Sequence, residues 1–205
     1  DATNLTNNYG NFFEPNTDGA TVDKSQIIAS LQNGTSVVIT TRRGEENENE
    51  RGNITVTSSL ADINVNSSGS SGRSLTLFAA ENILVNNEIS AASGSNPLTV
   101  NLRAEGKVEI KNGADIITRG GDFVVSGANN IANAELGQKF NAEAGHFLLD
   151  SGSFIDTTGG SAKNGGDITI RTIIRSSSLQ AGTDGNIDIK GNLTTNGGVA
   201  TSIGR

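Results

Sequence analysis

Cysteine, methionine and tryptophan are absent from this chain of 205 residues, and it has only two prolines and one histidine. Without cysteine there is neither a disulfide framework nor a thiolate metal centre. Two prolines exclude a Pro-rich linker. The single histidine, His146, is the only base a Ser/His/Asp triad could use. It precedes an apolar triplet, where other copies of the same pattern carry Asp, Asn or Ser, so it reads as part of that pattern rather than as a catalytic base. Aromatics make up 4%, too few for a large globular core of ordinary shape. No apolar run approaches the roughly 18 residues that span a membrane, so no membrane insertion is expected. No signal peptide is recognisable, and the chain starts and stops inside a pattern, which reads as a mature product or an excised segment. The net charge of −7 disfavours nucleic acid and anionic membrane as partners.

What the chain does have is glycine, 26 residues of it, with abundant Asn, Ser and Thr, a composition suited to many corners. The stretch from Ser74 to Ser90 shows the pattern most clearly. Leu75-Thr76-Leu77, Ile83-Leu84-Val85 and Glu88-Ile89-Ser90 are three very short segments with period-two alternation, separated by corners. Strands this short suit a coil in which each pairs with a copy one turn away. Copies follow Gly-Asp or Gly-Asn at Ile54, Phe123, Ile168 and Ile187, and other lead-ins at Val37, Leu75, Leu98 and Phe147. Aligned on these residues, the column two positions on is Ile39, Val56, Leu77, Val100, Val125, Leu149, Ile170 and Ile189, again wholly apolar. The spacing varies from 17 residues (Val37 to Ile54) to 25 (Leu98 to Phe123), as expected for fixed strands with variable corners. The leucine-rich consensus is missing. The fold class expected is therefore all-β: a single-stranded parallel β-helix, a solenoid of about eight coils and roughly 40 Å, with a short helix near the N-terminus. One domain is expected over 1–205, an irregular N-terminal cap over 1–35 and coils over 36–205.

In chain order, Tyr9, Phe12 and Phe13 are candidates to cover an open end of the core. Thr21 to Gly34 is the one helical candidate, with Val22, Ile27, Ile28 and Leu31 on one face and Asn33-Gly34 as a stop. The acidic loop Arg42 to Arg51 reads as a solvated excursion between strands, and Val37 and Ile54 are close enough in sequence to form a local pair. Thr118-Arg119-Gly120-Gly121, Thr157-Thr158-Gly159-Gly160 and Thr195-Asn196-Gly197-Gly198 repeat a turn, where Gly-Gly suits left-handed corners. Ala128 to Gly145 is the least regular coil, with Phe140 a candidate to fill it. Phe123 and Phe147 are expected at equivalent places in successive coils. The pattern still runs at Ile187, Ile189 and Leu193, so an uncapped carboxyl end prone to end-to-end association is expected.

The sequence nominates no catalytic, cofactor-binding or metal-ligating residue and leaves any ligand-binding residue unknown. No enzymatic activity and no cofactor are expected. Asp188, Lys190 and Arg171 fall near one another in register, the faintest hint of a polysaccharide lyase or glycosidase, and read more simply as surface charge. That β-helical carbohydrate-active enzyme is the alternative reading. A groove lined by two carboxylates within mutual reach would favour it. The Thr column Thr55, Thr76, Thr99 and Thr169 resembles an ice-binding array, but Val124, Leu148 and Asp188 interrupt it. No tandem calcium nonapeptide, phosphate loop or dinucleotide fingerprint is present.

Ile27 to Thr41, Gly52 to Val56, Ser74 to Ser90 and Leu98 to Asp122 together resemble the filamentous-haemagglutinin and high-molecular-weight adhesin family, the secreted partners of two-partner secretion. The likeness is closest over Val22 to Asn130. The resemblance implies a right-handed coil, export by an outer-membrane transporter partner, and location outside the cell on a Gram-negative-type surface. It also implies adhesion to a glycan or protein receptor on host or neighbouring cells. The Asn-rich motifs of the family's secretion domain are absent, which implies a shaft segment. Some relatives are glycosylated at Asn-x-Ser/Thr. The matching triplets here begin at Asn4, Asn33, Asn53, Asn66 and Asn192, and Asn53, which opens a strand, is the least suited to modification.

Overall fold

The computed structural model describes residues 2–7, 10–15, 19–41, 52–65, 72–127, 144–160, 164–172, 185–196 and 200–203. They form three β-sheets and one short helix. The first sheet holds Ala2–Asn7 (β1), Gly10–Pro15 (β2), Val37–Thr40 (β3), Arg73–Ala79 (β6), Leu98–Ala104 (β9), Phe123–Ser126 (β12), Ile168–Arg171 (β15) and Ala200–Ile203 (β18), in that spatial order. The second holds Ile54–Val56 (β4), Ile83–Val85 (β7), Lys107–Ile110 (β10), His146–Leu149 (β13) and Ile187–Ile189 (β16). The third holds Leu60–Ile63 (β5), Ile89–Ala91 (β8), Ile116–Ile117 (β11), Phe154–Asp156 (β14) and Asn192–Thr194 (β17). The chain visits the three sheets in turn, and each strand pairs in parallel with its counterpart one circuit away. Among the described residues the β1/β2 hairpin is the one antiparallel pair. This is an all-β parallel solenoid.

The pairing corrects the assignment of the aligned segments to successive coils. Val37 pairs with Leu75, while Ile54 pairs with Ile83. The eight aligned segments are thus not eight successive coils. Val37, Leu75, Leu98, Phe123 and Ile168 belong to the first sheet and Ile54, Phe147 and Ile187 to the second, and each circuit carries three strands rather than one recurring strand. The second and third sheets have five rungs each among the described residues. For the same reason Val37 and Ile54 are not a local pair. Within the first sheet Phe123 lies opposite Val100, not Leu98, which pairs with Arg73. The slip is two residues, so it leaves the inward face unchanged. The inward columns are Val37, Leu75, Val100, Phe123 and Ile168 in the first sheet, Ile54, Ile83, Val108, Phe147 and Ile187 in the second, and Leu60, Ile89, Ile116, Ile155 and Leu193 in the third. They meet in one hydrophobic cluster running from Phe13 to Ile170.

The stretch before residue 36, expected to be irregular, contains the β1/β2 hairpin, and β2 is a rung of the first sheet pairing with β3. The adjacent Phe12 and Phe13 break the apolar alternation that would have revealed it. Phe13 is buried and Phe12 half-buried, while Tyr9 lies outside the described residues. The helix is Lys24–Gln32 (α1). Asp23 caps it, its carboxylate accepting the Ser25 amide at 2.8 Å. Gly34 ends it with φ +77°, its N–H donating to the Leu31 carbonyl. Ile27 and Leu31 enter the core, and α1 packs on β5, β3 and β6, closing the third sheet at this end. The loop 42–51, most of 128–145 (Phe140 included) and Gly197-Gly198 lie outside the described residues.

Candidate functional site

One device recurs at the coil corners. The residue just before a strand turns its side-chain oxygen along the solenoid axis and accepts the backbone N–H of its partner in the next coil. Ser36 accepts from Ser74 at 3.1 Å, Asn53 from Asn82 at 3.1 Å, and Asn82 from Lys107 at 2.7 Å. Asp115 accepts from Phe154 at 3.1 Å and Asp122 from Asp167 at 2.9 Å. This explains the Gly-Asp, Gly-Asn and Ser lead-ins seen in the sequence: a short side chain with an acceptor satisfies a backbone donor at the corner. Asn53 also accepts from the Asn82 side chain at 2.9 Å, so its amide belongs to an asparagine ladder. Asn33 and Asn192 are exposed, and Asn66 is outside the described residues.

The outer face of the second sheet carries a cluster of ion pairs. Glu109 on β10 points outward and is only 4% exposed. Lys107 and Lys111, two residues to either side, both pair with its carboxylate. Burial pushes the Glu109 carboxyl up, but hydrogen bonds and charge from the two lysines outweigh this and hold it below its ordinary value. Leu84 and Leu148 flank it on the neighbouring strands, and Asp188 lies one rung beyond Leu148. Asp188 pairs with Lys190 at 3.1 Å. His146 sits beside Lys107 in register, at the corner position read from the sequence. Its Nδ1 is buried without a hydrogen-bond partner, and burial, then Lys107, lower its imidazole pKa against the opposing pull of Asp188 and Glu109. Arg171, expected near Asp188 and Lys190, is on β15 in a different sheet.

Glu88 and Asp115 precede β8 and β11, which pair, so the two carboxylates are one rung apart on the third sheet. Sequence reasoning passed over this pair, because only the pairing of the third sheet brings them together. Burial raises the Asp115 carboxyl, the Phe154 amide opposes that, and the Glu88 charge adds to the rise. Among the described residues no group of His, Cys, Asp and Glu could hold a metal ion. The Thr column does not form one array: Thr55 is on the second sheet, and in the first Thr99 pairs with Ser74 while Thr76 pairs with Asn101.

At the amino-terminal end a cleft of about 700 Å³ opens between α1, the end of β2, and β3 and β4. Among the described residues its lining is mainly apolar and hydroxylic, with Lys24 the one charged side chain. No family model, curated protein or solved structure matches the chain.

Proposed function

We propose that this solenoid is a non-enzymatic structural and adhesive segment of a secreted bacterial surface protein. It is exported through an outer-membrane transporter partner and presents its flat faces to glycans or proteins on host or neighbouring cells. The observation that carries this reading is the corner ladder. Polar side chains that could have converged on a groove instead hold the backbone of the next coil, and the most buried carboxylate among the described residues, Glu109, is neutralised by two lysines. A shaft needs that distribution of polar groups. We take the coil as right-handed, the sense of nearly all parallel β-crossover-β connections. The resemblance of Ile27 to Thr41 and of Ser74 to Ser90 to filamentous adhesins supports the same reading.

The alternative, a β-helical carbohydrate-active enzyme, rests on Glu88 and Asp115, stacked carboxylates of which one is raised, the pattern of an acid paired with a base. The weight is against it, because Asp115 makes the same contact to the next coil as Asn53 and Asp122 do. A glycan-array binding assay beside a polysaccharide-degradation assay separates the two. Saturable binding without degradation supports the adhesive reading. Degradation abolished by Asp115→Asn overturns it.

A further inference from the structure

Asn-Gly occurs at Asn33, Asn112, Asn164 and Asn196. In this dipeptide the asparagine carboxamide is open to attack by the following backbone nitrogen, because glycine has no side chain to shield that nitrogen. A nitrogen that already donates a hydrogen bond must first give it up. Gly34 N–H donates to the Leu31 carbonyl at 3.1 Å, and Gly165 N–H to the Asn196 carbonyl at 2.8 Å. Gly197 lies outside the described residues. Gly113 differs. It is the third residue of the turn Lys111 to Ala114, closed by the Ala114 N–H on the Lys111 carbonyl at 2.8 Å. Its φ of +79°, after a residue of ordinary negative φ, is that of a type II turn, whose own bond leaves the Gly113 N–H unused. No acceptor among the described residues takes that N–H. Asn112 and Gly113 are both exposed. Oδ1 of Asn112 rests against Gly152 at the equivalent corner of the next coil: a Cβ there would lie 2.4 Å from Oδ1 but 3.9 Å from Nδ2. The amide nitrogen is the end turned away from that coil.

We propose that Asn112 is a self-modification site, at which the folded chain converts its own carboxamide to a carboxylate. The Gly113 nitrogen attacks Cγ of Asn112. A bond forms between them, the Cγ–Nδ2 bond breaks, and ammonia leaves with the proton of the Gly113 N–H. Water then opens the cyclic imide at either of its carbonyls, giving aspartate or isoaspartate at position 112. The reaction consumes one water and needs no oxidant, reductant or second protein. Either product adds a negative charge beside Lys111. Isoaspartate also inserts a methylene carbon into the main chain between β10 and β11. That corner is where two coils are joined: Asp150 N–H donates to the Ile110 carbonyl at 2.9 Å, and the Ser153 hydroxyl donates to the Lys111 carbonyl. The corners at Asn33 and Asn164 carry the same dipeptide, and the fold protects them by engaging the glycine N–H.

The test incubates the whole folded chain in mildly alkaline buffer made with heavy-oxygen water, so that only conversions during the incubation take up the label. A parallel sample is unfolded in urea. Both are digested with trypsin in ordinary water, and mass spectrometry follows the peptides that carry residues 33, 112 and 164. Isoaspartate is detected by its enzymatic methylation. In the folded chain the peptide with Asn112 should convert about tenfold faster or more than the other two, the factor that one engaged hydrogen bond supplies. In urea the three should convert at similar rates, which shows that the difference belongs to the fold and not to the neighbouring residues. Equal rates for the three in the folded chain overturn the proposal. So does an Asn112 that converts in urea and is protected by folding, or one that converts in neither sample. A preference for Asn112 that persists unchanged in urea overturns it as well, since local sequence would then be the cause.

Discussion

Phe123 and Phe147 meet inside the coil with ring centroids 6.4 Å apart and planes tilted by 57°. They lie on β12 and β13, successive sides of one circuit, so the contact crosses the core instead of running along the axis. The expected stacking in successive coils is corrected by this geometry: the neighbour of Phe123 along the axis is Val100 on one side and Ile168 on the other. The tilted arrangement at this separation is favourable for aromatic rings, and both side chains are fully buried.

Substitution of either ring is accordingly costly. Phe123→Ala should destabilise by about 3–5 kcal/mol through lost burial and the cavity left beside Phe147. Phe123→Asp should prevent folding, because the described surroundings hold no counter-charge for a buried carboxylate. Thr99→Asp is the control. Thr99 is half-buried and outward, and its hydroxyl accepts only a long bond from Asp122 N–H at 3.4 Å, so a cost within about 1 kcal/mol is expected. Paired circular-dichroism melts check all three. A collapse of Thr99→Asp with a normal Phe123→Asp would reverse the inward and outward faces.

The glycines at the corners offer a sharper contrast. A Cβ on Gly121 would overlap the Leu98 carbonyl, and one on Gly166 would overlap the Gly121 carbonyl, in both cases backbone that cannot move aside. Gly160, in a copy of the same Thr-x-Gly-Gly turn, faces open space. Gly166→Ala should cost about 3 kcal/mol or more, and Gly160→Ala within about 0.5 kcal/mol. Equal melting temperatures for the two variants would show that the corners are not stacked this closely.

Much of this was legible in the sequence and some was not, for a physical reason. Period two shows which residues face inward, so the apolar columns and the triplets at Leu75 and Ile83 could be read directly, and the capping signals around α1 were equally local. A period-two pattern does not say which side of the coil a strand belongs to. Corners of different lengths give partial and whole circuits similar spacings near 20 residues, so Val37 to Ile54, a partial circuit, cannot be told from Leu75 to Leu98, a whole one. The lead-in residues were visible as a motif, but their role needed the pairing, because Asp122 acts on Asp167 at a distance of 45 positions. The same holds for Glu88 beside Asp115. Of the Gly-Gly turns, left-handed geometry is found at Arg119-Gly120 and is not used at Gly159-Gly160.

Acid should destabilise the fold in two separable steps. The folded-state pKa of His146 is lowered, so on acidification the unfolded chain takes up this proton first and stability falls from about the ordinary value of 6.5 downward. Glu109 is also lowered. Its contribution is complete above the ordinary carboxylate value of 4.5 and is lost as pH falls from there through the folded-state value. His146→Asn should flatten the upper step and Glu109→Gln the lower one, as read from urea midpoints across pH. An unchanged pH profile in Glu109→Gln would mean that the Lys107 and Lys111 pairing does not persist in solution.

At the end opposite α1, β16 and β17 are the outer strands of their sheets, each paired on one side only among the described residues. Ile187 and Leu193 are half-buried there, and Ile189 is 37% exposed, the one large hydrophobic residue among those described that is open to solvent. Unpaired strand edges with apolar neighbours template further strands. Concentration-dependent association through this end is therefore expected for the chain as given. Ile189→Lys places a charge beside both open edges and should reduce it, while Val38→Lys, on the outer side of β3 in the first sheet, should leave it unchanged. Sedimentation velocity over a concentration series decides the matter. A sharply monomeric profile for the unmodified chain at high concentration, or equal association of both variants, would show that the exposed rung is not the contact.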